Sequence, residues 1–119
     1  MAETLCDVCG ISAARVVRRA AAGIVAEPSQ TVREGHLTVV ASRHATAFAQ
    51  MADEDAAAFM ALVTRVAREA EVASTAARCY VLRIGDKSPH LHFHIVPVAA
   101  GDPPLAPHVF GDDGWSGGL

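Results

Sequence analysis

The chain is short of aromatic residues. Phe, Trp and Tyr make up 5% of its 119 positions, so its interior must rest on Val, Leu, Ile and some of the 24 alanines. Lysine is almost missing, with Lys87 the only one. Ten basic residues against thirteen acidic leave a net charge of −3 and a pI near 6.0. That balance argues against a polymeric nucleic acid as partner, because such proteins neutralise phosphates with clustered Lys and Arg. No window of about 18 uncharged apolar residues occurs, so no membrane span is expected. The first residues lack a basic stretch followed by an apolar one, so no secretory signal is expected and a cytoplasmic location is. There are three cysteines, Cys6, Cys9 and Cys79. In an intracellular protein a Cys-x-x-Cys pair points to metal or redox work rather than to structural disulfides. Cys79 opens a predicted strand and reads as a small buried hydrophobe.

Hydrophobic residues reach 51% and charged ones only 19%, with a mean hydropathy of +0.26; disorder is thereby excluded for most of the chain. The length is that of one domain. Residues 14–19 fit a strand or a helical turn, 24–26 a short strand, and 36–42 a better one entered through Gly35. A short helical turn is expected near 45–50. The strongest helix runs from Asp53 to Ser74, with an apolar stripe of Ala56, Phe59, Met60, Val63, Val66, Ala67 and Ala70. Asp53, Glu54 and Asp55 load its first turn with the charge that the helix dipole favours. Residues 79–84 and 90–98 read as two further strands around a loop at 85–89. The pattern predicts an α+β fold, an antiparallel sheet of about five strands against one long helix. Residues 1–98 form the domain, with 1–10 as a knuckle, and 99–119 a Gly/Pro-rich tail containing Trp115.

The sharpest feature is His90-Leu91-His92-Phe93-His94-Ile95-Val96. Side chains on a strand alternate between faces, so His90, His92 and His94 share one face while Leu91, Phe93 and Ile95 share the other. The apolar face belongs against the helix. Three imidazoles are poor core fillers, since each buried ring nitrogen needs a partner. They must therefore look toward a cleft or a ligand.

This segment resembles the motif of the histidine triad (HIT) family, His-φ-His-φ-His-φ-φ with φ apolar. Gly35-His36-Leu37-Thr38-Val39-Val40 is similar to the family's Gly-His strand, Ser42-Arg43-His44 to its Pro-Lys-x-His, and Asp53-Glu54-Asp55 to its acidic helix start. The resemblance implies a HIT-like fold and a nucleotide hydrolase or nucleotidyl transferase. His92 would attack the α-phosphorus and form a nucleotidyl-histidine intermediate that water releases. His94 would stabilise phosphate charge and His36 orient the cluster. The resemblance also implies a homodimer. The zinc-binding branch of the superfamily further implies a structural zinc on Cys6, Cys9, His44 and His90. The loop Gly85-Asp86-Lys87-Ser88-Pro89 is shorter than the family's glycine-rich turn, with no Asn evident before it. Lys87 and Ser88 are candidates to contact phosphate, and Ile24 and Leu37 to line an apolar base pocket. The altered loop also suits a nucleotide-binding regulatory or scaffold protein with little turnover. A third reading places a catalytic metal on the histidine face itself.

Overall fold

Val39, Ala41, Phe93 and Ile95 alternate with Thr38, Val40, His92 and His94 along two segments, and the fold places these segments side by side. The computed structural model describes residues 11–85 and 88–105, without the side chains of Ala76 and Ala77. A 3₁₀ turn, Ala13–Arg15, leads into β1, Val16–Arg19, so the first segment is a turn and then a strand. β2 is Gly23–Ala26 and β3 is Leu37–Ala41. A second 3₁₀ turn, Phe48–Gln50, precedes α1, Asp53–Ser74. β4, Ala76–Leu82, and β5, His92–Ala99, complete the order. The five strands form one antiparallel sheet in the order β1-β2-β3-β5-β4, and α1 carries the chain from β3 across one face to β4. Among the described residues no helix is long and apolar enough to cross a membrane.

The expected bounds of α1 hold. Ala52 at its N-cap makes no side-chain bond, so the three carboxylates of the first turn supply the charge that the exposed N–H groups attract. The buried stripe is Phe59, Leu62, Val63, Val66 and Ala70. Met60, expected inside, is 38% exposed, and Leu62, not expected there, is 2% exposed. Met60 lies about 100° round the axis from Phe59, outside the stripe that the sheet covers. These side chains pack on Val25, Val39, Ala41, Leu91, Phe93 and Ile95. Each large side chain so buried contributes roughly 1.5–3 kcal/mol.

Two strand boundaries differ from expectation. β4 begins at Ala76, before Cys79, and β5 begins at His92, after His90. Pro97 pairs with Cys79 inside β5 instead of ending it. Cys79 is half-buried beside the core, and burial, with Glu71 nearby, pushes its thiol up to about 11. The tail leaves the sheet through a tight turn, and Leu105 is fully buried with its N–H donated to Tyr80 Oη.

Candidate functional site

β5 lies between β3 and β4, so its residues have neighbours on both sides. Val40 pairs with His92, and Thr38 with His94. All four side chains occupy the sheet face opposite α1, as the alternation requires. Gly35 brings His36 to the same cluster. It adopts φ +88°, and an added Cβ would lie 3.0 Å from Pro97 Cγ; both features favour glycine before His36. The four imidazoles are deeply buried: His36 is 3% exposed, His90 4%, His92 0% and His94 0%. The ring centroids of His36 and His94 are 5.1 Å apart, and those of His92 and His94 are 5.0 Å apart.

Hydrogen bonds assign the ring protons. His92 Nδ1 lies 2.7 Å from the His90 carbonyl oxygen. A carbonyl only accepts, so Nδ1 carries the proton and the neutral ring has its lone pair on Nε2. The Val32 N–H donates to His36 Nδ1 at 3.2 Å, which leaves the His36 proton on Nε2. That N–H faces His94 Nδ1 at 2.9 Å. His94 therefore accepts through Nδ1, and in its neutral form keeps an N–H on Nε2. The cluster holds one imidazole with a basic nitrogen beside one with a donor. That is the pairing needed to attack an electrophile while stabilising an anionic oxygen.

Burial pushes His36 down to about 4 from its ordinary 6.5. Protonation would also convert Nδ1 into a donor and remove the acceptor for Val32. Between pH 6.5 and about 4 the unfolded chain binds the extra proton. Stability from this group is thus complete above that window and declines as the pH falls through it. The expected loss is roughly 3 kcal/mol. Denaturant midpoints across this range should fall less steeply for His36→Gln than for the wild type, and parallel curves would refute the assignment.

His44 and His90 are brought together from separate segments. Their centroids lie 5.0 Å apart in a T-shaped pair. His90 Nε2–H donates to the Ala41 carbonyl at 2.9 Å, placing the ring's lone pair on Nδ1. Burial chiefly holds His90 below the ordinary histidine range; the Ala41 carbonyl acts in the opposite sense, while His44, His92 and Arg83 add to the lowering. A neutral imidazole with one nitrogen fixed as donor is the form that binds a metal. Cys6 and Cys9, the expected thiolate ligands, lie outside the described residues, as do Asp86 and Lys87. Among the described residues no group of three or more His, Cys, Asp or Glu is placed to hold a metal.

Ser88 is described and is 2% exposed. Ile24 pairs with Val40 and so shares the face of His92. Leu37 is a correction. It pairs with Ile95 and packs beside the helix-side core, away from the triad. A cleft of about 830 Å³ also lies on that side, between α1 and β1–β2, with His36 at its rim. Sequence reasoning missed Val32, the carbonyls of Ala41 and His90, and Arg83. The first three act through the backbone, which leaves no side-chain signal.

Fold and site define a class: an α+β protein whose central strand presents a row of buried imidazoles with assigned donor and acceptor nitrogens. The HIT domain model matches residues 14–101, most of the chain, and the protein belongs to the HIT family. A search of curated protein sequences gave no match. Among solved structures, the C. elegans NitFhit protein superposes with a TM-score of 0.71 at 23% identity, over 79% of this chain. The chain spans about a quarter (24%) of that longer one. A Hit-like protein involved in cell-cycle regulation from Bartonella henselae gives a TM-score of 0.68 at 20% identity, covering 75% of this chain and 70% of that one. A hypothetical histidine triad nucleotide-binding protein from Sulfolobus tokodaii gives 0.67 at 18% identity, covering 85% and 91%. These likenesses confirm the five-stranded sheet and single helix as the HIT fold.

Proposed function

We propose that the protein binds a nucleotide and acts as a nucleotide hydrolase or nucleotidyl transferase through His92. The observation that carries this is the 2.7 Å bond from His92 Nδ1 to the His90 carbonyl, which makes Nε2 a nucleophile. In the first step Nε2 bonds to the α-phosphorus. The bond from phosphorus to the leaving group breaks, and that group departs with the electron pair and takes up a proton. His94 Nε2–H donates to a phosphate oxygen as charge develops. In the second step water attacks phosphorus, the P–N bond breaks with its electron pair returning to Nε2, and a water proton passes to solvent. Splitting one displacement into two easier ones is the gain of nucleophilic catalysis. Family membership and the name of the Sulfolobus neighbour support nucleotide as the ligand class. Ser88 and Lys87, from the loop before the triad, are proposed to contact the phosphates.

The pairing of His44 with His90 supports a zinc on Cys6, Cys9, His44 and His90. Zinc there would be structural, tying the knuckle to the chain end that enters β5. Its thiolates suit a cytoplasmic setting. A homodimer goes with the same reading, and a sedimentation mass of 12.4 kDa would exclude it. The complete burial of His92 and His94 favours a second reading, a nucleotide-binding regulator with little turnover. One screen separates the two. Nucleoside phosphoramidates, dinucleoside polyphosphates and nucleotide sugars are supplied, and released monophosphate is measured. Release with one class supports the enzyme; tight binding with no release from any class supports the regulator.

A further inference from the structure

The loop between β4 and the triad is held by a residue that belongs to neither expected ligand set. Arg83 follows β4 directly. Its Nη2 donates to the Pro89 carbonyl at 2.9 Å and to the Thr46 carbonyl at 3.1 Å, and its Nη1 lies 3.4 Å from the His90 carbonyl. Gly85 completes the seat. It has φ +82°, and a Cβ there would lie 2.9 Å from the guanidinium carbon. Nearby, Leu91 N–H donates to the Ala45 carbonyl at 2.7 Å, and Ala41 N–H to the Leu91 carbonyl at 3.0 Å. The segments 41–46 and 89–91 are thus laced together, with the guanidinium closing one end. The His90 carbonyl stands at the centre of this lacing and also accepts from His92 Nδ1. A carbonyl oxygen has two lone pairs and can serve both donors.

We infer that Arg83 is a positioning residue for His92: its guanidinium, seated against Gly85 and shared among the carbonyls of Thr46, Pro89 and His90, fixes the peptide whose oxygen sets the nucleophile's tautomer. Only arginine supplies enough donors in one rigid plane for this; a lysine ammonium is a point charge on a flexible stem. The inference rests on His92 as the nucleophile. It adds the device by which a loop with few residues holds that nucleophile in register.

The test uses Arg83→Ala, Arg83→Lys and Gly85→Ala, each checked for folding by its thermal transition. Nucleotidyl-His92 formed in a single turnover with a nucleoside phosphoramidate is expected to appear about 10²-fold more slowly in Arg83→Ala, the cost of a misplacement near 1 Å. Arg83→Lys should not recover the rate, and Gly85→Ala should lose part of it. Affinity for nucleoside monophosphate should stay within about threefold, well under one power of ten. Free guanidinium at millimolar concentration should restore part of the rate to Arg83→Ala. Long-range ¹H–¹⁵N spectra of the ring nitrogens should show His92 as the Nδ1–H tautomer in the wild type and as a mixture in Arg83→Ala. A folded Arg83→Ala with the wild-type rate and ring spectrum overturns the inference. Wild-type protein that forms no adduct overturns the nucleophile itself, and the ring spectra then still judge Arg83.

Discussion

His92→Ala is expected to abolish turnover, with kcat falling about 10⁴–10⁶-fold, the range seen when a covalent nucleophile is removed. The reasoning runs through one atom. His92 Nε2 is the basic nitrogen that the His90 carbonyl leaves available for attack, while His94 presents an N–H. No neighbouring group of the described cluster can take over. His36 uses Nδ1 to accept from Val32 and Nε2 to face His94, and His90 binds the Ala41 carbonyl. Nucleotide binding should survive, because it draws on phosphate donors and an apolar base pocket instead of the nucleophilic lone pair. Truncation of a side chain with 0% exposure also opens a cavity, at a cost of about 2 kcal/mol or more. His92→Gln, closer in volume, separates loss of chemistry from loss of packing. Quenched wild-type reactions should carry the nucleotidyl group on His92. Unchanged activity in a folded His92→Ala protein would sink the mechanism.

Removal of zinc is the second large effect. One zinc per chain should appear by elemental analysis, and a strong chelator should lower the melting temperature by 10 °C or more. A loss of about 2–3 kcal/mol suffices for such a shift in a domain of this size, and structural zinc sites contribute more than that. The structure supplies half of the case. His44 and His90 meet at 5.0 Å from segments more than forty residues apart, and His90 is held neutral with one ring nitrogen committed to Ala41. Cys9→Ser should reproduce the chelator's effect without chelator. Metal-free protein with an unchanged melting temperature would return the two histidines to a simple ring contact. A folded, metal-free protein that has lost all turnover would instead favour the third reading, a catalytic metal on the histidine face.

The sequence by itself determined the features that consecutive residues encode. The three- and four-residue steps and the acidic first turn placed α1 at Asp53–Ser74. The two-residue alternation assigned Leu91, Phe93 and Ile95 to the core and the histidines to the other face. Local periodicity suffices there because geometry repeats along one element. The stripe of α1 was legible only in part. Met60 and Leu62 sit at its margins, and which margin is covered depends on where the sheet crosses the helix.

Tertiary structure decided the rest. It set β5 between β3 and β4, so that His36 reaches His94 across 58 residues of sequence. It turned Leu37 away from the triad, because pairing with Ile95 fixes its face. It kept His90 out of the strand, free of the ladder's geometry, where its ring meets His44 and its carbonyl meets His92. It recruited Arg83, whose three acceptors are backbone oxygens. The physical reason is common to all four. Every residue carries the same carbonyl and, proline apart, the same N–H, so no side-chain pattern announces which of these groups will be brought to an imidazole or a guanidinium. Long-range strand pairing makes that choice, and through it assigns the ring protons on which the chemistry depends.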